Sequence, residues 1–289
     1  MSETELGLAL IATINFTIRY SVPITLGALS GILCERSGIV NIGIEGMMLL
    51  AAFTGFMANV TLSEPQVSPA LQAAPVRLTL AVAVALLTGG LLGLLHAVLS
   101  IQYKVDQIVS GTVINILALG LTGYFYRLNA PTLGKLPNLI DNPFGRDSSL
   151  ELKLADNLTL YLPYDIGRII FDKDLITYLT LVIVFVLGWA LFHTTWGLRT
   201  RSIGENPRAA DTLGINVYRL QYTNLFLGGM LAGLGGGFLT LAAVGLFEQG
   251  MTTGRGFIAL AVMIFGNWRP WGALRGALLF GFATALQGQ

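Results

Sequence analysis

Repeated apolar runs of nearly constant length restrict this chain more than any other feature of it. Residues 78–100, 108–126, 175–193 and 221–247 are almost free of charge. Each is close to the roughly 20 residues that carry a helix across about 30 Å of hydrocarbon. Inside a bilayer the backbone must pair with itself, which leaves helices or a closed barrel. Period-two alternation is lacking, so a barrel does not fit. The expected fold is an all-α polytopic membrane bundle of roughly eight helices (about 6–10), some of them broken. Composition agrees, since 54% of residues are hydrophobic and only 11% are charged. A single domain, residues 1–289, is expected to hold all of it.

Formal net charge is +1, so neither nucleic-acid binding nor a field for acidic substrates is indicated. Cys34 is the only cysteine, and His96 and His193 are the only histidines. An internal disulfide is impossible, and neither a metal site nor a catalytic centre is expected. Glu3 and Glu5 precede the first apolar run where a secretory leader carries positive charge, so the N-terminus is expected to stay attached. The abrupt stop after Gln289 is compatible with a missing tail.

Irregularities along the chain carry the functional information. The first run, residues 6–33, is interrupted by Arg19, Tyr20 and Pro23, and either one span or two half-helices fit. Residues 34–46, CERSGIVNIGIEG, set Glu35, Arg36, Asn41 and Glu45 among apolar residues. A charge at mid-bilayer costs about 2.5–3.5 kcal/mol, so these groups must face protein, a cavity or the interface. On a helix the Asn41/Glu45 spacing would place both on one face. Thr112 and Asn115 lie on neighbouring turns of a later span. All four are candidate substrate-path residues, with polar packing between helices as the open alternative. Gly229, Gly233 and Gly237 repeat every four residues, as do Gly89 and Gly93; such strips mark close helix packing, with a hinge as the lesser reading. The run 256–265 is short for a span and reads as a tilted or half-helix. His96 and His193 fall at span ends, and Trp268, Arg269 and Trp271 read as an interfacial anchor.

Arginine placement sets the orientation. Loop 194–220 contains Arg199, Arg201, Arg208 and Arg219 against Glu205 and Asp211. Short loops rich in Lys and Arg stay inside, while long ones cross regardless of charge. This predicts loop 194–220 to be cytoplasmic and segment 127–174 external. Within the inner loop, GENPRAADTLGI (204–215) reads as about two turns of helix: Asn206 as N-cap, Pro207 in the first position, Gly214 left-handed at the end. So short a helix is not stable alone and needs support on both sides.

With GENPRAADTLGI, the early ERSGIVNIGIEGMM and the late GRGFIALAVMIFGNWRPWGAL in this order, the chain resembles permease subunits of ABC importers over nearly its whole length. More narrowly, it resembles the branch that handles branched-chain amino acids, ribose-type sugars and nucleosides. RSGIVNIGIEGMM matches the nucleoside and simple-sugar members best. The resemblance implies that Gly204, Glu205, Asn206, Pro207, Arg208, Ala209, Ala210 and Gly214 form a coupling helix docking on a cytoplasmic ATPase. It further implies a second permease subunit, a different paralogue or a second copy, an extracellular or periplasmic binding protein, and a multi-pass location in the cell (inner) membrane among lipid. No cofactor is expected on this chain; ATP and Mg²⁺ would bind the partner, because the sequence has no G-x-x-x-x-G-K-[S/T] phosphate loop. The implied solute is small, neutral and polar, a nucleoside by preference, with a ribose-type sugar or branched-chain amino acid as alternatives. An ion-coupled transporter is the rival class and would need several intramembrane carboxylates or histidines, of which Glu45 is the one well-placed example.

Overall fold

The computed structural model describes residues 3–133 and 173–287. Helix α1, Glu3–Arg36, runs 34 residues through Pro23 without a break. One continuous helix thus replaces the two half-helices that the Arg-Tyr-x-x-Pro sequence left open. After a turn come α2, Ile44–Leu62, and the short α3, Pro69–Gln72. Helix α4, Ala74–Ala97, continues into a π-helical turn, Val98–Gln102. Helix α5, Gln107–Leu133, absorbs the first residues that the sequence had assigned to an external loop. The remainder of that loop, 134–172, lies outside the described residues.

Then follow α6 (Leu175–His193), α7 (Thr195–Glu205), α8 (Pro207–Thr212) and α9 (Val217–Phe238). Helix α9 ends in a second π-helical turn, Leu239–Val244. Helices α10 (Arg255–Phe265) and α11 (Pro270–Gln287) complete the chain. Among the described residues six helices are long and apolar enough to cross a membrane, and α10, with 11 residues, is a shorter apolar one. At 1.5 Å per residue α10 reaches only about half-way across the hydrocarbon.

Helix α9 is the centre of the bundle, packed on α4, α1 and α2; α1 in turn meets α10 and α11, and α2 meets α5. In lipid there is little hydrophobic drive between helices, so close backbone approach has to supply the attraction. The α4–α9 seam does this without side chains. A Cβ on Gly89 would lie 2.2 Å from the Gly229 carbonyl oxygen, and one on Gly233 would lie 2.4 Å from that of Ala85. Gly237 continues the strip less tightly, its Cβ position lying 3.0 Å from the Ala85 Cβ. Outward faces are apolar, as on α5 (Val113, Ile116, Leu128) and α6 (Val182, Phe185, Trp189), which suits a hydrocarbon surrounding.

Both helix irregularities are compensated by named groups. Arg19 donates to the carbonyls of Ala242 (2.7 Å) and Ala243 (2.8 Å) at the frayed end of α9. After the connection 245–254, Glu45 accepts from Gly254 N (2.9 Å) and Gly256 N (2.6 Å), where α10 begins. Carbonyl ends thus meet a cation and amide ends an anion, the polarity expected of helix termini.

Candidate functional site

Among the described residues, a polar platform is built by α7, α8 and the start of α9. Thr194 caps α7, its hydroxyl accepting from Gly197 N at 3.2 Å. Asn206 ends α7 and caps α8, with Oδ1 accepting from Ala209 N at 3.1 Å and Pro207 in the first turn. Gly214 has φ +77°, and its N–H closes on the Asp211 carbonyl at 2.9 Å. Asn216 then caps α9 by accepting from Arg219 N at 2.9 Å. Three consecutive caps make each corner sharp.

A small apolar core of Ile203, Ala210 and Val217, with Ile215 and Leu220 against it, supports α8 from behind. Asn224 Nδ2 donates to Thr200 Oγ1 at 3.2 Å and ties α7 to α9. Glu205, Asn206, Pro207, Arg208, Ala209 and Gly214 remain exposed. Two corrections to the sequence reading follow. Gly204 and Glu205 belong to the preceding helix, because the Asn206 backbone is extended and α8 has only six residues. Ala210 is buried at 3% exposure and supports the platform from within, since the short helix turns only one face outward. The composition of the outward face had also escaped notice: Leu213 is 81% exposed and Tyr218 65%. Only a fold that turns Leu213 away from the Ile203 core reveals it.

The break between α1 and α2 is the second polar site. Helix α1 ends at Arg36 and α2 begins at Ile44, so Asn41 and Glu45 do not share a helical face as their spacing had suggested. Asn41 is fully buried; its Oδ1 accepts from Gly43 N at 3.0 Å and its amide nitrogen points to the sulfurs of Cys34 and Met47. Asn115 staples the break to α5, accepting from Gly46 N at 2.7 Å and donating to the Ile42 carbonyl at 3.0 Å. Thr112 is exposed and donates back to Ile108 of its own helix at 2.8 Å. Asn41, Glu45 and Asn115 therefore converge on one turn of chain, while Thr112 stands apart. Their polar atoms are engaged with backbone and, for the Asn41 amide nitrogen, with sulfur.

His96, in the last turn of α4, is fully buried in the protein. Its Nε2 is 3.0 Å from the Val40 carbonyl and its Nδ1 2.9 Å from Ser110 Oγ. A carbonyl only accepts, so Nε2 carries a proton toward Val40. Trp268 donates from Nε1 to Glu35 at 2.5 Å, and its own carbonyl accepts from Arg36 at 3.2 Å. The Phe192 ring has two guanidiniums near it, that of Arg201 at 5.1 Å and that of Arg36 at 5.9 Å from its centroid. Among the described residues no three His, Cys, Asp or Glu side chains gather as a metal site would require.

Among the described residues, six apolar helices packed through a glycine seam, with a capped polar platform at one end, define a multi-pass membrane protein. The chain belongs to the family described as branched-chain amino acid transport system / permease component, which it matches over residues 13–289. It is 41% identical over 272 residues to the guanosine ABC transporter permease protein NupQ of Bacillus subtilis, covering 93% of this chain and 80% of that one. To the nucleoside ABC transporter permease protein NupC of Lactococcus lactis it is 37% identical over 274 residues, covering 92% and 79%. The guanosine ABC transporter permease protein NupP of Bacillus subtilis is 27% identical over 274 residues, covering 92% and 70%. No solved structure matches the chain.

Proposed function

We propose that this chain is a permease subunit of an ATP-driven importer that moves nucleosides into the cell by alternating access. The substrate reading is supported by the relatives, which are named as guanosine and nucleoside ABC transporter permease proteins. The platform lies in the cytoplasm of the cell (inner) membrane and α8 docks in a partner ATPase, which binds ATP and Mg²⁺ and performs the hydrolysis. The observation that carries the docking role is the exposed face of α8, held out on three caps and a small core, with Ala209 and Arg208 exposed and Leu213 81% exposed at its end. Such a face, with small Ala209 and apolar Leu213 beside the charges of Arg208 and Asp211, suits contact with a partner surface. A second permease subunit of a different sequence completes the path, in keeping with similarity to two guanosine permease proteins of one organism. An extracellular or periplasmic binding protein delivers the solute.

The test is ATP-dependent uptake of radiolabelled guanosine by the chain reconstituted with its partner subunits. Ala209→Glu is expected to keep the bundle folded while lowering uptake and binding-protein-stimulated ATP hydrolysis by 10-fold or more, the loss of about 1.4 kcal/mol of coupling. Guanosine uptake that proceeds without ATP, or wild-type coupling in Ala209→Glu, would overturn the assignment. An ion-driven mechanism would have to use Glu45, whose two oxygens each already accept a backbone N–H.

A further inference from the structure

We propose that residues 36–46 are the transmission element between the α7–α8 platform and the half-depth break in the bundle, with Gly204 as its input contact and Glu45 as its output. The inference rests on the coupling role proposed for the platform, and it names the chain segment through which that role is exercised. Physically, a displacement passes between two elements only where contacts leave no slack, and slack is smallest where backbone meets backbone.

At the input end the clearance is nil. A Cβ on Gly204 would stand 2.4 Å from the Arg36 carbonyl oxygen and 3.3 Å from Gly38 N. Gly38 has φ +84°, and its Cβ position is 3.4 Å from the Gly204 Cα, so the two glycines press the end of α7 directly on the end of α1. Gln221 of α9 donates to the Ser37 carbonyl at 3.1 Å and closes the same corner. No flexible side chain intervenes that could absorb a movement.

The output end is equally tight and faces two helices. A Cβ on Gly256 would meet the Glu45 Cα at 2.6 Å, and one on Gly46 would meet the Asn115 Cα at 2.8 Å. To these contacts Glu45 adds both hydrogen bonds at the start of α10, and Asn115 adds two to the turn that precedes α2. The Glu45 carboxylate serves here as a positioning group. It holds the amide end of α10 at a fixed place on α2, and a shift of residues 36–46 must carry α10 and α5 with it. The platform contacts at Arg36 and Gly38 and the half-helix contact at Glu45 lie within one short segment whose backbone is held at Ser37, Val40, Ile42, Gly43 and Gly46.

Three variants of the complete transporter test this: Gly204→Ala, Glu45→Gln and the double variant. The readouts are co-purification with the ATPase, ATP hydrolysis and guanosine uptake in proteoliposomes. Expected are normal co-purification and ATP hydrolysis within about 2-fold of wild type for Glu45→Gln, weakened packing of α7 on α1 in Gly204→Ala, and a ratio of uptake to hydrolysis lowered roughly 3- to 30-fold in each single variant that assembles. The double variant is expected to be no worse than the poorer single one, because two faults in one series chain do not multiply. An unchanged ratio in a variant that assembles, or losses that multiply in the double variant, would overturn the inference. Should Gly204→Ala fail to assemble, the ratio measured for Glu45→Gln decides alone. A wild-type complex that shows no ATP-driven guanosine uptake would instead refute the parent reading, so the two failures are distinguishable.

Discussion

Asn115 shows how little a polar residue in a span says about its role until its partners are known. One amide pairs with Gly46 N–H and the Ile42 carbonyl, two backbone groups that the break between α1 and α2 leaves without helical partners. Asn115→Ala would orphan both, at a cost of about 1–3 kcal/mol in the stability of the bundle. Thr112, three residues earlier on the exposed side, bonds only to its own helix. Thr112→Ala is expected to stay within about 0.5 kcal/mol of wild type. Thermal unfolding of the purified chain in detergent checks both values. Uptake kinetics on the same variants separate the roles further: a raised KM for guanosine in Asn115→Ala at unchanged stability would make the amide a solute contact and not a staple.

Between elements, the α4–α9 seam decides whether the bundle holds together. The Gly89 and Gly229 backbones touch where any Cβ would collide at 2.2 Å, whereas a Cβ on Gly120 of α5 would meet nothing within 4 Å. Gly89→Val is therefore expected to lower stability by about 1–3 kcal/mol or to abolish folding, since the obstructing atom is a carbonyl oxygen that cannot rotate away. Gly120→Ala, in a helix with open space around it, is expected to be neutral or to add up to about 1 kcal/mol through helix propensity. Denaturation in mixed detergent micelles with the two variants side by side measures the contrast. Equal responses would show that the seam is not the tight interface its geometry describes. Helix α10 belongs to the same scale: its 11 residues are too few to span, and Glu45 satisfies the amides of Gly254 and Gly256 at its start.

Over the whole molecule the contacts sort the connections into two ends. Gly38 meets Gly204, Val40 meets His96 and Gln107, and Arg36 meets Trp268, so these turns share one end with α7 and α8. Arg199, Arg201, Arg208, Arg219, Arg269 and Lys104 lie in or beside these connections, the bias that retains a loop on the cytoplasmic side. The tail of α2 and the loop after it lie at the opposite end. Cys34 is buried and is the only cysteine, so a Cys34→Ser background is blank to a membrane-impermeant maleimide. In it, Glu64→Cys is expected to label in intact cells and Thr212→Cys only after permeabilisation. The reverse pattern would invert the topology and remove α8 from the reach of a cytoplasmic ATPase.

The membrane class, the approximate helix number, the capped corner at 206–214 and the glycine strips were all legible in the chain. Each rests on local or periodic signals: run length against bilayer thickness, cap residues against orphan amides, four-residue spacing against the helical repeat. What reading residue by residue could not supply was the partner of each polar group. Asn41 and Glu45 are four apart and would share a face only on a helix, and the chain breaks between them. Ala209 and Ala210 are adjacent and chemically the same, yet one is exposed and the other is packed on Ile203 and Val217. The pairings of Glu45 with Gly254 and Gly256, and the contact of Gly38 with Gly204, join residues more than 160 positions apart. Such contacts depend on how helices cross, which no local pattern encodes, and so only the tertiary structure decided which polar groups were staples and which faces were left free.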